Sequence, residues 1–468
     1  MYLNKKTREI REYLKSIPNV TYVEIYECQW KNIKKNNPEV NEILRKILPS
    51  RKKPFPNGVV NDRNVKDAIR NGSLFGMVKC DVYVPDNLKE KFSVYQPIFK
   101  NTEISIDDIG PYMKEYALRN DLMKSKRRCL IGSFWAKDIL LITPLLKWYI
   151  NHGIEICNVN MIIEYDPIQC FKKFGDTCSQ MRRLADKDKN EEIKGAVWKL
   201  IACSSYGRTV MRKDKQTTVH YVTEDKIGKL INNPRFERGR ELDNNLFEIE
   251  QKRKTINWNL PFQIGFFTYG YAKLRMLEFF YDFISKYTDQ EDIHLLETDT
   301  DSLYFAVSEE SLEKIIKPSL RNRFDEEASQ YLPREKCFDH SMDNAPITEP
   351  CDSCVFDKRT PGLFKIEYKG DRFVGLCSKT YILDGSNTDG EGGKVVKSKG
   401  LSVKRNDFTF EDFLNVIKTR TVGKGYNSGN KTIKDKTYSY LQERAGLGFL
   451  YIKRIVCEDG IHTKPTHL

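Results

Sequence analysis

The chain has 468 residues, 40% hydrophobic and 12% aromatic, a folding composition with length for about three domains rather than one. Lys and Arg number 78 against 65 Asp and Glu, a formal net charge of +13, which points to a polyanionic partner, nucleic acid before anionic membrane, or to a merely basic surface. The polar start MYLNKKTREIREYLKS, the scattered 12 cysteines and the break of LIGSFWAKDILLITPLL by Lys137, Asp138 and Pro144 argue against a secreted disulfide framework and against a membrane helix; the expectation is a soluble intracellular protein with reduced thiols.

In chain order, the first 50 residues are expected to be helical at both ends around the strand TYVEIYECQW, with LPSRKKPFPNGVVNDRN as a linker. LFGMVKCDVYV and ICNVNMIIEY have strand composition, and a basic cluster, Lys124, Lys126, Arg127 and Arg128, lies between them. Residues 179–205 have helical composition interrupted only by Gly195, and YGYAKLRMLEFFYDFISKY is a second helix with an apolar stripe. Beyond residue 385 the chain turns Gly-, Asn- and Lys-rich, and no internal repeat or low-complexity tract is evident.

HLLETDTDSLYFAV, residues 294–307, has β-forming flanks around a turn-like centre, which predicts a hairpin with Asp299 and Asp301 at its tip. Carboxylates so close repel unless a cation neutralises them, and such oxygen-rich pairs suit Mg²⁺ and substrate phosphates. An ordinary Asp/Thr turn would account for the same residues. KLIACSSYG, residues 199–207, offers a point charge for a phosphate and the ring of Tyr206 for a sugar or base, and equally fits a plain helix C-terminus with a snorkelling lysine.

Taken together, K-x-x-x-x-S-x-Y-G and the later D-T-D-S resemble the second and third polymerase motifs of family B DNA polymerases, in the same order. Lys379-Thr380-Tyr381 in SKTYIL resembles the K-x-Y element that this family uses at the primer terminus. With KRTPGLFKIEYKGDRFVGLCSKTYIL and LLITPLLKWYINHGIEI around these motifs, the chain resembles the protein-primed organellar and viral branch, closest to the polymerases of large self-synthesising transposons, over about residues 20–450. Two identities depart from the pattern: Cys203 stands where Asn is usual, and Glu297 where Tyr is usual.

The resemblance implies an α+β right-hand polymerase with an antiparallel-sheet palm, a helical fingers hairpin and a partial thumb. The division it implies is an N-terminal segment and linker at 1–75, palm at 76–178 with room for a terminal-protein-region insertion, and fingers at 179–215. Palm resumes at 216–384, with an acidic, Cys-bearing insertion near 325–356, and the partial thumb takes 385–468. Asp301 is then the direct ligand of two Mg²⁺ ions, with Asp299 in support. Lys199 and Tyr206 bind the incoming nucleotide, aided by Arg183 and Lys187, whose other explanation is a solvated helix face. Lys379, Tyr381, Lys397 and Lys399 are the expected DNA contacts, sequence-blind because they meet phosphates. The implied partners are primer–template DNA, deoxynucleoside triphosphates and a terminal protein primer, with no membrane.

The family's first motif, D-x-x-S-L-Y-P-S, is not found; Asp81 and Asp108 are the nearest substitutes for its aspartate, and Asp81 is carried as a further metal-ligand candidate. No D-x-E of a 3′–5′ exonuclease occurs in the first 80 residues, so a shortened or decayed element copy is one expectation. Cys337-x-x-His340 and Cys351-x-x-Cys354 have the spacing of a small structural zinc site, or are incidental thiols and a histidine in an acidic loop. The rivals to a working polymerase are a decayed one that only grips DNA and a metal-dependent nuclease; the latter leaves KLIACSSYG and SKTYIL unused.

Overall fold

The structure, a computed structural model, describes residues 62–468 apart from 170, 187–188, 244, 334–356, 358, 388–392 and 434–435. The expected N-terminal strand, Lys187, and the zinc candidates Cys337, His340, Cys351 and Cys354 lie outside the described residues. The expected linker is shorter on the described side, because Asp62 already opens a helix, α1 (Asp62–Asn71).

Strand β1 (Gly76–Tyr83) is buried along most of its length and is the centre of an antiparallel sheet, flanked by β4 (Trp135–Ile142) and β5 (Glu155–Glu164). Its run GMVKCDVY buries Met77, Val78, Cys80 and Val82, while Lys79 and Asp81 stay part-exposed and Tyr83 is exposed. Val65 and Ile69 of α1 and Leu145, Leu146 and Tyr149 of α3 (Thr143–Asn151) share its core with Met77, Val78 and Cys80. Between these strands, β2 (Ile98–Ile104) and β3 (Arg127–Ser133) form a separate hairpin around α2 (Gly110–Arg119).

The helical stretch expected at 179–205 is two packed helices, α4 (Lys172–Asp186) and α5 (Glu192–Thr209). Gly195 permits the close approach: a Cβ there would stand 3.2 Å from the Ala185 Cβ. Two contacts tie α4 to the segment after residue 356. Arg359 meets both oxygens of Asp186 at 2.5 Å, and Arg183 donates to Thr360 Oγ1 at 3.1 Å. A small sheet follows, ordered β6 (Thr217–Val222), β8 (Leu246–Lys252), β7 (Phe236–Asp243). Arg238–Glu250 and Arg240–Glu248 pairs cross its strands.

Helix α6 (Phe262–Leu277) continues through a π-helical turn, Glu278–Ile284, into Ser285–Tyr287. The widened turn turns side chains to both sides. Phe280 and Tyr281 enter the β1 core, whereas Phe279, Phe283 and Ile284 enter a second one with Phe324 of α7 (Arg321–Ala328). Asp282 between them accepts from Trp148 Nε1 at 2.9 Å and pairs with His152 Nε2 at 2.7 Å, so the irregular turn is tied to α3. The hairpin β9 (Ile293–Asp299) and β10 (Ser302–Val307) lies where these cores meet, with Leu303 and Phe305 packed on both.

A third core carries the C-terminal part. It joins Val374 and Leu376 of β11 (Tyr368–Cys377), Ile382 of β12 (Thr380–Asn387) and Phe413 of α8 (Phe410–Thr419) to Met113 and Tyr116 of α2. β13 (Val395–Lys397) pairs with β12, and β14 (Gly423–Ile433) with β15 (Lys436–Leu447) forms a two-stranded ribbon. The mixed content is α+β. Among the described residues no helix is long and apolar enough to cross a membrane.

Two stability predictions follow from pairs outside the paired-aspartate turn. Hydrogen bonds from Lys286 and then from Tyr287 hold the Glu327 carboxyl down at about 2. Its folded pKa lies below the unfolded value, so its contribution is complete above pH ~4.5 and is lost as pH falls towards ~2. Glu327→Gln should cost ~0.5–1 kcal/mol at pH 7 and flatten the fall in stability between pH 5 and 3, read by denaturant unfolding. A double-mutant cycle of Asp186→Ala and Arg359→Ala should give a coupling of about 1–2 kcal/mol, because the pair is bidentate and mostly shielded from solvent.

Candidate functional site

Ser302 pairs with Asp299 across the hairpin, leaving Thr300 and Asp301 as its two turn residues. Thr300 is left-handed at φ 59°, a conformation that costs a β-branched residue about 1–2 kcal/mol, and the Asp301 amide closes the turn on the Asp299 carbonyl at 2.7 Å. Asp301 is exposed and makes no ion pair among the described residues. Asp299 accepts from Thr300 Oγ1 at 3.1 Å and from Lys379 Nζ at 2.7 Å, both through Oδ1.

Lys379 heads the turn between β11 and β12, also left-handed at φ 66°. It is held twice: its ammonium by Asp299, and its backbone amide by Glu297 Oε1 at 3.2 Å. The bond to Asp299, with the charges of Asp299, Asp301 and Glu297, raises the Lys379 pKa above its ordinary value. Burial pushes the Glu297 carboxyl up to about 7, with the charge of Asp299 adding to the rise and the Lys379 amide opposing it.

Behind this contact the Tyr304 and Tyr381 hydroxyls are hydrogen-bonded, their rings 5.0 Å apart, with Phe373 5.7 Å from Tyr381. Tyr381 is only 2% exposed, so this tyrosine joins the two hairpins while the lysine two residues earlier faces outward. Lys397 lies opposite Tyr381 on β13, and the Lys399 amide donates to Thr380 Oγ1 at 3.2 Å. The side chains of both lysines are exposed, so Lys379, Lys397 and Lys399 belong to one small sheet and its margin.

On α5, Lys199 is exposed. Cys203 and Tyr206 follow at helical spacing on the same face. The Tyr206 ring meets Tyr269 of α6 edge-on at 5.2 Å, and burial raises its phenol pKa. Arg183 is engaged by Thr360 and thus serves the anchoring of α4 in this state.

The missing carboxylate is not supplied by either substitute. Bulges in both pairings of β1 occur around Asp81, whose oxygens accept from the Asp138 amide at 2.7 Å and Asn158 Nδ2 at 2.8 Å. Asp108 accepts the Ser105 amide at 2.7 Å and hydroxyl at 2.6 Å ahead of α2. Among the described residues no group of three His, Cys, Asp or Glu side chains could hold a metal ion, so Asp81 does not join Asp299 and Asp301. Residue types and spacing left three participants unmarked: Glu297 as the holder of Lys379, Tyr304 as the partner of Tyr381, and Tyr269 beneath Tyr206. Only Glu297 carried a signal, as the unusual residue two places before D-T-D-S.

The profile of the family described as DNA polymerase type B, organellar and viral, matches residues 50–285, 236 of the 468 residues. The match takes in β1, the α4–α5 pair with Lys199 and Tyr206, and α6, and stops short of the paired aspartates and Lys379. No curated protein and no solved structure matches. With half of its length in that profile, the chain belongs to the organellar and viral type B DNA polymerases, a family of DNA-directed DNA polymerases acting on a DNA template with deoxynucleoside triphosphates.

Proposed function

We propose that this chain performs template-directed nucleotidyl transfer from deoxynucleoside triphosphates, at a centre formed where the β9–β10 turn meets the β11–β12 turn. The observation that carries this is the 2.7 Å contact of Lys379 Nζ with Asp299 Oδ1. Residues 80 positions apart in the sequence bring a primer-binding element and a carboxylate pair to one spot, as polymerisation requires. The proposed arrangement is a right hand: palm at 76–178 and 216–384, fingers at 179–215, thumb from 385. Protein priming and a mobile or viral-type element as the replicated DNA belong to the same proposal and rest on the branch resemblance.

The donor set suits a hard divalent cation: Asp301 is exposed and makes no ion pair among the described residues, and Asp299 uses only one oxygen in the contacts described above. Asp301 and Asp299 would hold Mg²⁺, which when bound supplies charge neutralisation for the triphosphate and the primer hydroxyl. The two would supply part of one ion's shell, with water and substrate phosphate giving the rest; a third carboxylate does not stand with them among the described residues. Lys199 then meets the incoming triphosphate as a point charge, and Tyr206, backed by Tyr269, supplies a rigid face for its sugar. Lys379 holds the primer-terminal phosphate, while Lys397 and Lys399 track the backbone without reading bases.

A second reading, a chain that grips DNA without turnover, is favoured by one specific observation: the carboxylates of Asp81 and Asp108 are both committed to local turns and bulges. Primer extension on a singly primed template with Mg²⁺ and all four deoxynucleotides separates the two. Extension by the parent, reduced at least about 100-fold in Asp301→Ala, is the expected result. No extension by either protein, with salt-sensitive DNA binding kept by both, would establish the second reading instead.

A further inference from the structure

Glu297 is a carboxylate on the same face of β9 as Asp299, two residues earlier. It has no place in the chemistry described so far, yet its Oε1 accepts the Lys379 amide at 3.2 Å, and Oε2 lies towards Gly375 of β11. Lys379 at φ 66° occupies a region that costs a residue with a Cβ about 1–2 kcal/mol, so its turn needs an external hold. One residue is thus fixed at two points by the two carboxylates of one strand, its amide by Glu297 and its ammonium by Asp299.

We propose that Glu297 is a positioning residue of the polymerase centre: by accepting the Lys379 amide it fixes the β11–β12 turn in the conformation that presents the Lys379 ammonium at the carboxylate pair. The inference rests on the nucleotidyl-transfer reading in one respect, that the ammonium so presented is the one that meets the primer-terminal phosphate. Glu297 acts through Lys379 and touches no substrate. Asp299 alone leaves the turn free to pivot about a long, flexible side chain, whereas the amide bond fixes the backbone from which that side chain grows. A glutamine keeps the oxygen acceptor; an alanine removes it.

The test uses the full chain and has two arms. Amide hydrogen exchange at Lys379 should speed up about tenfold in Glu297→Ala and return most of the way to the parent rate in Glu297→Gln. Fluorescence anisotropy without metal or nucleotide should show Glu297→Ala binding a 3′-recessed primer–template about fivefold to tenfold more weakly, with a smaller loss on a blunt duplex of equal length and recovery in Glu297→Gln. Unchanged exchange at Lys379 in Glu297→Ala overturns the proposal, as does accelerated exchange with equal losses on both DNAs. A parent chain that binds neither DNA overturns the nucleotidyl-transfer reading, and the exchange arm still decides whether Glu297 holds the turn. Should Glu297→Ala fail to fold, Glu297→Gln with slow exchange at Lys379 and unimpaired terminus preference supports the proposal, and Glu297→Gln with fast exchange overturns it.

Discussion

Two carboxylates on one tight turn repel unless a cation neutralises one of them. That repulsion organises the centre of this molecule. Asp299 is answered by the Lys379 ammonium at 2.7 Å, and Asp301 is left to solvent, where water screens its charge. The cation comes from a distant hairpin, so neutralising the turn also docks β11–β12 against β9–β10. The hydroxyl bond between Tyr304 and Tyr381 and the Phe373 ring complete the same junction from the apolar side.

Such a junction needs a base that does not yield. The π-helical turn at 278–284 supplies it by sending Phe280 and Tyr281 into the β1 core and Phe279 and Phe283 into the neighbouring one. Asp282, which a turn so apolar would otherwise expel, is kept by the Trp148 indole and His152. The hairpin bearing the aspartates therefore stands on two cores at once, and its strained Thr300 is tolerated because the strands on either side are fixed.

Much of this was legible in the sequence, and the exceptions are physical. The hairpin, β1, β5, the α4–α5 pair and the α6 helix follow from apolar periodicity and turn residues, which are local. The π turn was not legible, because EFFYDFI has the composition of an ordinary amphipathic helix and only the packing of both faces selects the wider turn. A place for Lys379 at the catalytic centre was expected only from the resemblance of K-x-Y to the family's primer-terminus element, and its pairing with Asp299 was not expected, since nothing local relates residues so far apart. Asp81 shows the opposite failure: a carboxylate on a strand beside the apolar core looked available, but bulges in both neighbouring pairings turn it to Asp138 and Asn158.

The two departures from the motif pattern separate what spacing fixes from what neighbours fix. Spacing sets which backbone positions face the turn, and it is kept: Lys199 and Tyr206 share a helix face, and Asp299 and Asp301 share a turn. Identity depends on what stands opposite. At residue 297 a carboxylate is admitted because an amide in a left-handed turn has no partner on its own strand, and because the positive charge of Lys453 lowers the cost of burying it. At residue 203 the side chain is exposed on α5, between Lys199 and Tyr206 on the same helix face, so burial demands no amide there. A substitution inside a motif is thus informative in proportion to its burial: Glu297 marks a bond that the fold uses, and Cys203 marks a position that the fold leaves open.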